Sequence, residues 1–235
     1  MNRMKAFVEE VMVKSDNVRS ALAKDPAVGA WVDLKLPIPK PYFPTPSKQI
    51  KLVIIGQDPT VQNENSRHKI QTVLNLDKSG QLKNFVEKLC DGLGLSLDDN
   101  VYATNACKNF FRRPPTTIKN VNVLQASASF WLPILRTELD QFPEATIISL
   151  GEPVLTILVR EPFSREMKYY WGYHRQWRSG KTNTMSFIKA QESTIGKRIF
   201  PFVHEPTMRG SRTEFYRCGM QDYIDLISRE SGRQT

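Results

Sequence analysis

The sequence predicts an α/β fold: one domain whose central, mainly parallel four-stranded sheet is flanked by helices. Three observations lead to it. Four short apolar segments recur along the chain, each of the length of a buried strand. Segments with helical spacing separate them, an alternation that is typical of βαβ units. The chain has 235 residues, the size of one substantial domain, so 1–235 is treated as a single domain.

The N-terminal 50 residues precede the first strand and divide into two parts. The segment "MNRMKAFVEEVMVKSDN" has apolar residues at helical spacing and two glutamates, which predicts an amphipathic helix and not a signal peptide. The segment "LPIPKPYFPTPSKQ" is rich in proline, which disfavours helix and sheet, so we expect an extended arm lying over the domain.

The remaining elements follow in alternation, with 160–198 forming a basic, aromatic insertion within the domain. The predicted strands are Leu52–Ile55, Val101–Thr104, Thr146–Leu150 and Ile199–Val203. The predicted helices are Gln81–Cys90, Val121–Leu139, Pro153–Val159 and Thr213–Ser228. Right-handed crossovers between parallel strands would place all four strand C-termini at one edge of the sheet.

Composition limits the classes of function. Lys and Arg together number 33 against 24 Asp and Glu, and the net charge of +9 favours a polyanionic partner. A run of about 18 apolar residues is absent from the sequence, so we expect no membrane span. Cys90, Cys107 and Cys218 are far apart, which disfavours a disulfide framework and a four-cysteine metal or iron–sulfur site and is typical of a reduced, cytoplasmic protein.

Polar residues follow each predicted strand at the edge where ligands bind in open α/β sheets. Gln57 and Asp58 follow the first strand, Asn105 the second, Glu152 the third and His204 the fourth. Singly, Asp58 fits a turn, Asn105 a cap and His204 a core histidine. Together, at matching strand exits, Gln57, Asp58, Asn105 and His204 predict a functional site, whereas Glu152 fits the electrostatics of a helix start.

These segments resemble motifs of the uracil-DNA glycosylase superfamily. "YFPTPSKQIKLVIIGQDPT" is similar to the lead-in and GQDPYH motif of the best-known uracil-excising family. "VYATNACKNFFRRPP" resembles the N-x-x-K-x-R-P-P stretch of iron–sulfur-containing thermophile-type members. "ATIISLGEPVLTIL" resembles a later strand and helix, and "FPFVHEPTMRG" the HPSPLS-type motif. The resemblance spans about residues 42–209 and implies that fold and a DNA glycosylase.

The resemblance implies roles for two catalytic residues. Asp58 would orient the water that attacks C1′ of a nucleotide flipped out of DNA. His204 would donate a hydrogen bond to O2 of the departing base, where negative charge collects. Neither role requires a metal or an organic cofactor.

Four further residues are assigned to base binding. Asn105 offers one donor and one acceptor, which match O4 and N3–H of uracil and mismatch cytosine. Gln57 would line the same pocket. Thr60 stands where the family has a tyrosine that blocks the methyl group of thymine, so a 5-substituted uracil would find more space. Leu74 would replace the family's stacking phenylalanine.

DNA contacts are predicted in three segments. Met208 is the candidate wedge inserted beside the flipped base, against the alternative of core packing. The other candidates for contacts with the DNA backbone are Thr207, Arg209, Lys108, Arg112 and Arg113. A third segment, residues 165–181, interleaves aromatic and basic residues, which fits nucleic-acid stacking or a basic hairpin packed on the core. Glu205 replaces the proline that follows the family's histidine.

The leading hypothesis is a monofunctional DNA glycosylase that acts as a cytoplasmic monomer of prokaryotic or phage type on double- or single-stranded DNA. It would hydrolyse the N-glycosidic bond of uracil or a related pyrimidine and leave an abasic site. Two alternatives stay open: a reader of modified bases without turnover, and a hydrolase of free nucleosides or nucleotides.

Overall fold

The computed structural model describes residues 3–44, 49–161, 167, 170, 185–202 and 220–232. The strands are β1 (Leu52–Gly56), β2 (Val101–Asn105), β3 (Thr146–Leu150) and β4 (Phe200–Phe202). The helices of these ranges are α1 (Arg3–Leu22), α2 (Glu64–Arg67), α3 (Gln81–Gly92), α4 (Leu97–Asn100), α5 (Val123–Asp140), α6 (Glu152–Leu158) and α7 (Met220–Ser231).

The four described strands form one parallel sheet in the order β2-β1-β3-β4. β1, β2 and β3 are buried at every position, as expected for strands covered on both faces. The predicted α/β class, with one four-stranded sheet in a single compact domain, is therefore confirmed. All four strands lie within one residue of their predicted ends.

Helices flank the sheet in two packed groups. α1 packs on α5 and α5 on α6, while α3 packs on α4 and α7. On the first side, Tyr102 of β2 lies 4.8 Å from Phe142 between ring centroids. On the second, Phe202 of β4 stacks on Tyr223 of α7 at 3.8 Å. Apolar residues from every layer thus join in one core around the sheet.

The proline-rich segment closes the outer edge of β2. Tyr42 exchanges two backbone hydrogen bonds with Ala103, each 2.9 Å long. Lys40 forms an isolated bridge with Thr72. The described part of the segment, up to residue 44, contains no helix, as predicted from its prolines. Within the described ranges, no helix combines the length and the apolar character that crossing a membrane requires.

Candidate functional site at the carboxyl edge of the sheet

The carboxyl ends of β1 and β2 bring the first two predicted site segments together. Gly56 is paired with Asn105 in the parallel register. The chains remain hydrogen-bonded beyond the strands, because Ala106 N donates to Gly56 O at 2.8 Å and Cys107 N to Gln57 O at 2.9 Å. Gln57 and Asp58 therefore leave the sheet beside Asn105, as the strand pattern predicted.

Gly56 supplies the space that the Asn105 side chain occupies. A Cβ atom at position 56 would lie 2.4 Å from Asn105 Oδ1 and 3.0 Å from Leu74 Cδ2. The first distance is shorter than real Cβ contacts and the second is tighter than most, so a side chain here would displace Asn105. The Asn105 and Leu74 side chains therefore both lie close to Gly56, the residue that precedes Gln57 and Asp58.

Asn105 carries an unsatisfied acceptor in the interior. Its side chain is 2% exposed, and Oδ1 accepts no hydrogen bond from any residue that the structure describes. A buried acceptor without a partner costs about 1–3 kcal/mol. A donor from a bound water molecule or a ligand would satisfy this atom.

The Asp58 carboxyl group is held by its own loop. Gln57 Nε2 donates to Oδ1 at 2.6 Å, and the Thr60 amide donates to Oδ2 at 2.9 Å. Burial raises the Asp58 pKa from 3.8 to about 6, although the hydrogen bonds from Thr60 and Gln57 and the charge of Arg67 act in the opposite direction. Asp58 is consequently a carboxylate at neutral pH and becomes protonated in mild acid.

Thr60 joins the loop after β1 to the loop after β2. Its hydroxyl oxygen accepts a hydrogen bond of 2.7 Å from the Phe111 amide. Since its own amide binds Asp58, Thr60 connects the carboxylate to the second loop. The threonine side chain is thereby fixed in one orientation next to the Asp58 carboxylate.

Leu74 has a strained backbone. Its φ is 60° and that of Asn75 is 51°, so two consecutive non-glycine residues adopt the left-handed conformation. Leucine at such a position costs roughly 1–2 kcal/mol. Strain of this kind concentrates at functional sites, and here it occurs at a residue whose Cδ2 lies beside Gly56.

The structure corrects the prediction for Lys108. Its side chain is 4% exposed, and Nζ lies 2.5 Å from Glu138 Oε2. The same ammonium group donates to Thr104 Oγ1 at 2.6 Å and to the Asn105 carbonyl at 3.2 Å. An amino group buried in an ion pair cannot reach a DNA phosphate. Lys108 instead stabilises the end of β2 through its contacts with Asn105 and Glu138.

Arg112 and Arg113 are exposed on the loop after β2, as phosphate contacts require. Arg112 also lines an open groove of about 570 Å³, whose other charged residues are Lys35, Arg67, Asp33 and Glu64. The contact of Arg112 and Arg113 with DNA stays a prediction.

Glu152 lies exposed in the first turn of α6, in keeping with its assignment to the helix start.

Several predicted residues lie outside the described ranges, namely His204, Glu205, Thr207, Met208 and Arg209. The same holds for most of the aromatic and basic segment 165–181. Within that segment Tyr170 is described, and it is 1% exposed. At this position, therefore, the aromatic side chain packs in the core and is not presented to a nucleic acid.

Two residues near Asp58 escaped prediction from the sequence. Arg67 is 4% exposed, and Cys107 is buried close enough to Asp58 that burial, with the aspartate charge adding to it, raises the thiol pKa well above 9. Arg67 lies in "NENSRHK", a polar stretch without periodicity that gives no sign of burial. Among the described residues, no cluster of His, Cys, Asp or Glu suits a metal ion.

The fold and this edge define an α/β protein with a carboxylate and an unsatisfied amide at the ends of adjacent parallel strands. Comparison with known protein families and with curated proteins yields no match to this chain.

Proposed function

We propose that the protein is a monofunctional DNA glycosylase that hydrolyses the N-glycosidic bond of uracil or a related pyrimidine flipped out of DNA. One observation carries the proposal. The Asp58 carboxylate and the buried, unsatisfied Asn105 Oδ1 lie at the ends of neighbouring strands. The first suits attack at a sugar carbon, and the second suits recognition of a base.

Base recognition follows from the chemistry of Asn105. Oδ1 would accept the N3–H of uracil, which supplies the absent donor, while the side-chain amide would donate to O4. Cytosine presents an acceptor at N3 and a donor at the exocyclic amine, so both contacts would be repulsive. A base that leaves the polar groups of the site unpaired is strongly rejected.

Hydrolysis needs a nucleophile on one side of C1′ and a departing base on the other. Asp58 would orient a water molecule and accept its proton as the C1′–O bond forms. The C1′–N1 bond breaks, and its electron pair leaves with the base. The carboxylate also stabilises positive charge on the sugar. By its resemblance to the glycosylase motif, His204 would donate to O2 of the leaving base, a contact of the kind worth about 10²–10³ in rate.

Thr60 and Leu74 bear on which pyrimidine enters. Thr60 is smaller than the tyrosine of the related motif, so it favours admission of thymine or a 5-substituted uracil. Leu74 would cover the face of the base without an aromatic ring. Gln57, whose side chain donates a hydrogen bond to Asp58, would complete the lining of the pocket.

DNA is the proposed partner of a monomeric, cytoplasmic enzyme. The net charge of +9 and the exposed Arg112 and Arg113 support attraction to phosphates. Thr207, Met208 and Arg209 extend this surface by resemblance, with Met208 as the wedge that keeps the base out of the stack.

A panel of oligonucleotides tests the proposal. It carries uracil, thymine opposite guanine, 5-hydroxymethyluracil, hypoxanthine or a phage-type modified pyrimidine, in both single- and double-stranded form. Alkaline treatment then cleaves at abasic sites. We expect cleavage of at least one pyrimidine substrate by the wild type and none by Asp58→Asn. Failure to cleave any substrate would contradict the proposal.

The leucine at position 74 also favours a second candidate, a reader that flips a modified base without turnover. Weaker stacking would slow catalysis more than recognition. A reader would bind one member of the panel tightly and cleave none, and its binding would survive Asp58→Asn.

A further inference from the structure

Arg67 is a buried cation at the end of α2 that the proposed chemistry does not use. Its Nε donates to Val61 O at 3.0 Å, and Nη1 donates to Arg112 O at 2.9 Å. Phe111 O lies 3.5 Å from the same Nη1. A buried guanidinium requires such partners, because desolvation of an isolated charge is costly.

The acceptors of Arg67 belong to two different loops. Val61 follows β1 and lies three residues after Asp58, whereas Phe111 and Arg112 belong to the loop that follows Asn105. The Thr60–Phe111 hydrogen bond joins the same two loops. Arg67 and Thr60 therefore hold the loop after β1, which carries Asp58, against the loop after β2.

We propose that Arg67 is a positioning residue that holds the Asp58 loop against the loop after β2. This inference rests on the proposed function for its catalytic consequence. The rigid fork of a guanidinium makes both links at once, which the single amino group of a lysine cannot reproduce.

The positive charge of Arg67 favours the ionised form of Asp58. Burial raises the Asp58 pKa, and Arg67 opposes that shift together with hydrogen bonds from Thr60 and Gln57. Cys107 also faces this region, but burial keeps its thiol neutral. Glu64, whose Oε1 is 3.8 Å from Arg67 Nη1, is largely exposed, so solvent screens this ion pair.

Two substitutions separate the charge from the geometry. Arg67→Met removes both the charge and the hydrogen bonds, while Arg67→Lys keeps the charge and loses the fork. Arg136→Met is the matched control, because Arg136 also donates to a backbone carbonyl, that of Thr194, but lies on α5. The measurements are the Asp58 pKa by NMR titration, amide exchange at Thr60 and Phe111, and the dependence of kcat and KM on pH.

We expect Arg67→Met to raise the Asp58 pKa and shift the acid limb of kcat/KM to higher pH, whereas Arg67→Lys leaves this limb near its wild-type position. Both should accelerate exchange at Phe111 and lower kcat by about 10- to 100-fold, since displaced catalytic groups lose rates of this order. Arg136→Met should change none of these quantities.

The inference would be overturned if the Asp58 pKa and the amide exchange rate of Phe111 in Arg67→Met both equalled their wild-type values. If Arg67→Met does not fold, wild-type Phe111 exchange and kcat in Arg67→Lys overturn it instead. The titration and exchange measurements need no substrate. A wild type without glycosylase activity would thus refute the proposed function, while these two measurements would still decide the role of Arg67.

Discussion

At Asp58, burial and hydrogen bonding act on the same carboxyl group in opposite directions. Protein atoms around the group disfavour its charge, and the bonds from Thr60 and Gln57 favour it; the balance leaves a pKa of about 6. A water-orienting carboxylate must be ionised, and a base works best when its pKa lies near the working pH. Asp58 meets both conditions at neutral pH.

The pKa of Asp58 predicts how activity depends on pH. In the proposed mechanism the carboxylate is the active form, so kcat/KM should be constant well above pH 6, reach half its plateau near pH 6, and fall about tenfold per further pH unit in acid. A pH series of cleavage rates at subsaturating substrate measures this limb. A limb near pH 4 would contradict the burial of the Asp58 charge.

Asp58→Asn should also change stability, with a sign that follows from linkage. Because the folded pKa of about 6 exceeds the usual 3.8, the folded state binds more protons than the unfolded state between these values. The free energy of unfolding of the wild type therefore falls as pH rises from about 4 to above 6.

Asp58→Asn removes this ionisation, so its stability relative to the wild type should increase with pH over the same window. Urea unfolding at pH 4.5 and pH 7.5 measures the difference. Asp225→Asn is the control, since Asp225 is exposed on α7. An equal difference at both pH values would show that Asp58 is not penalised for its charge.

Among the elements, β1 and β2 determine the geometry of the candidate site, because their parallel register places Gly56 beside Asn105. Short apolar runs and their polar exits identified these strands and placed Asp58 and Asn105 at one edge. The requirement for glycine at position 56 was not predicted, since it arises from the Asn105 side chain 49 positions away in sequence, a spacing that no local pattern reports.

Gly56→Ala should disable the site and leave the sheet intact. The added methyl group would lie 2.4 Å from Asn105 Oδ1 and displace it. We expect a fall in kcat/KM of about tenfold or more, from the loss of an oriented hydrogen-bond pair to the base. Circular dichroism and cleavage rates measure the two effects.

Gly80→Ala is the matched control for Gly56→Ala. A Cβ atom at position 80 meets nothing within 4 Å, and the φ of 167° is extended backbone that any residue adopts. Full activity in Gly56→Ala would show that the position of Asn105 is unimportant for the reaction.

At the scale of the whole molecule, the buried ion pair of Lys108 with Glu138 links the end of β2 to α5. Glu138 is 0% exposed and accepts hydrogen bonds from Tyr102 at 2.6 Å and Thr104 at 2.9 Å, in addition to its ion pair with Lys108. The sequence suggested a DNA contact for Lys108 because the surrounding motif is basic. Its partner lies 30 positions further along the chain, and no spacing rule connects the two.

Lys108→Met should destabilise the fold by about 3–5 kcal/mol, because it leaves the Glu138 carboxylate buried without a counter-charge. Combining it with Glu138→Gln should recover most of this loss, since the amide is neutral and its oxygen can still accept hydrogen bonds. Chemical unfolding measures both free energies.

Lys197→Met is the control for Lys108→Met. Lys197 pairs with Asp140 at 3.1 Å, but both side chains are partly exposed, so the change should cost no more than about 1 kcal/mol. Equal losses in Lys108→Met and Lys197→Met would contradict a structural role for the buried pair.

The central claim is that this edge of the sheet hydrolyses a pyrimidine N-glycosidic bond through Asp58. The most direct measurement is a single-turnover reaction with the preferred oligonucleotide of the panel, followed by mass spectrometry of both products. We predict a free base and an oligonucleotide with an intact abasic site for the wild type, with both absent for Asp58→Asn. Tight binding without base release, or equal release by Asp58→Asn, would contradict the claim.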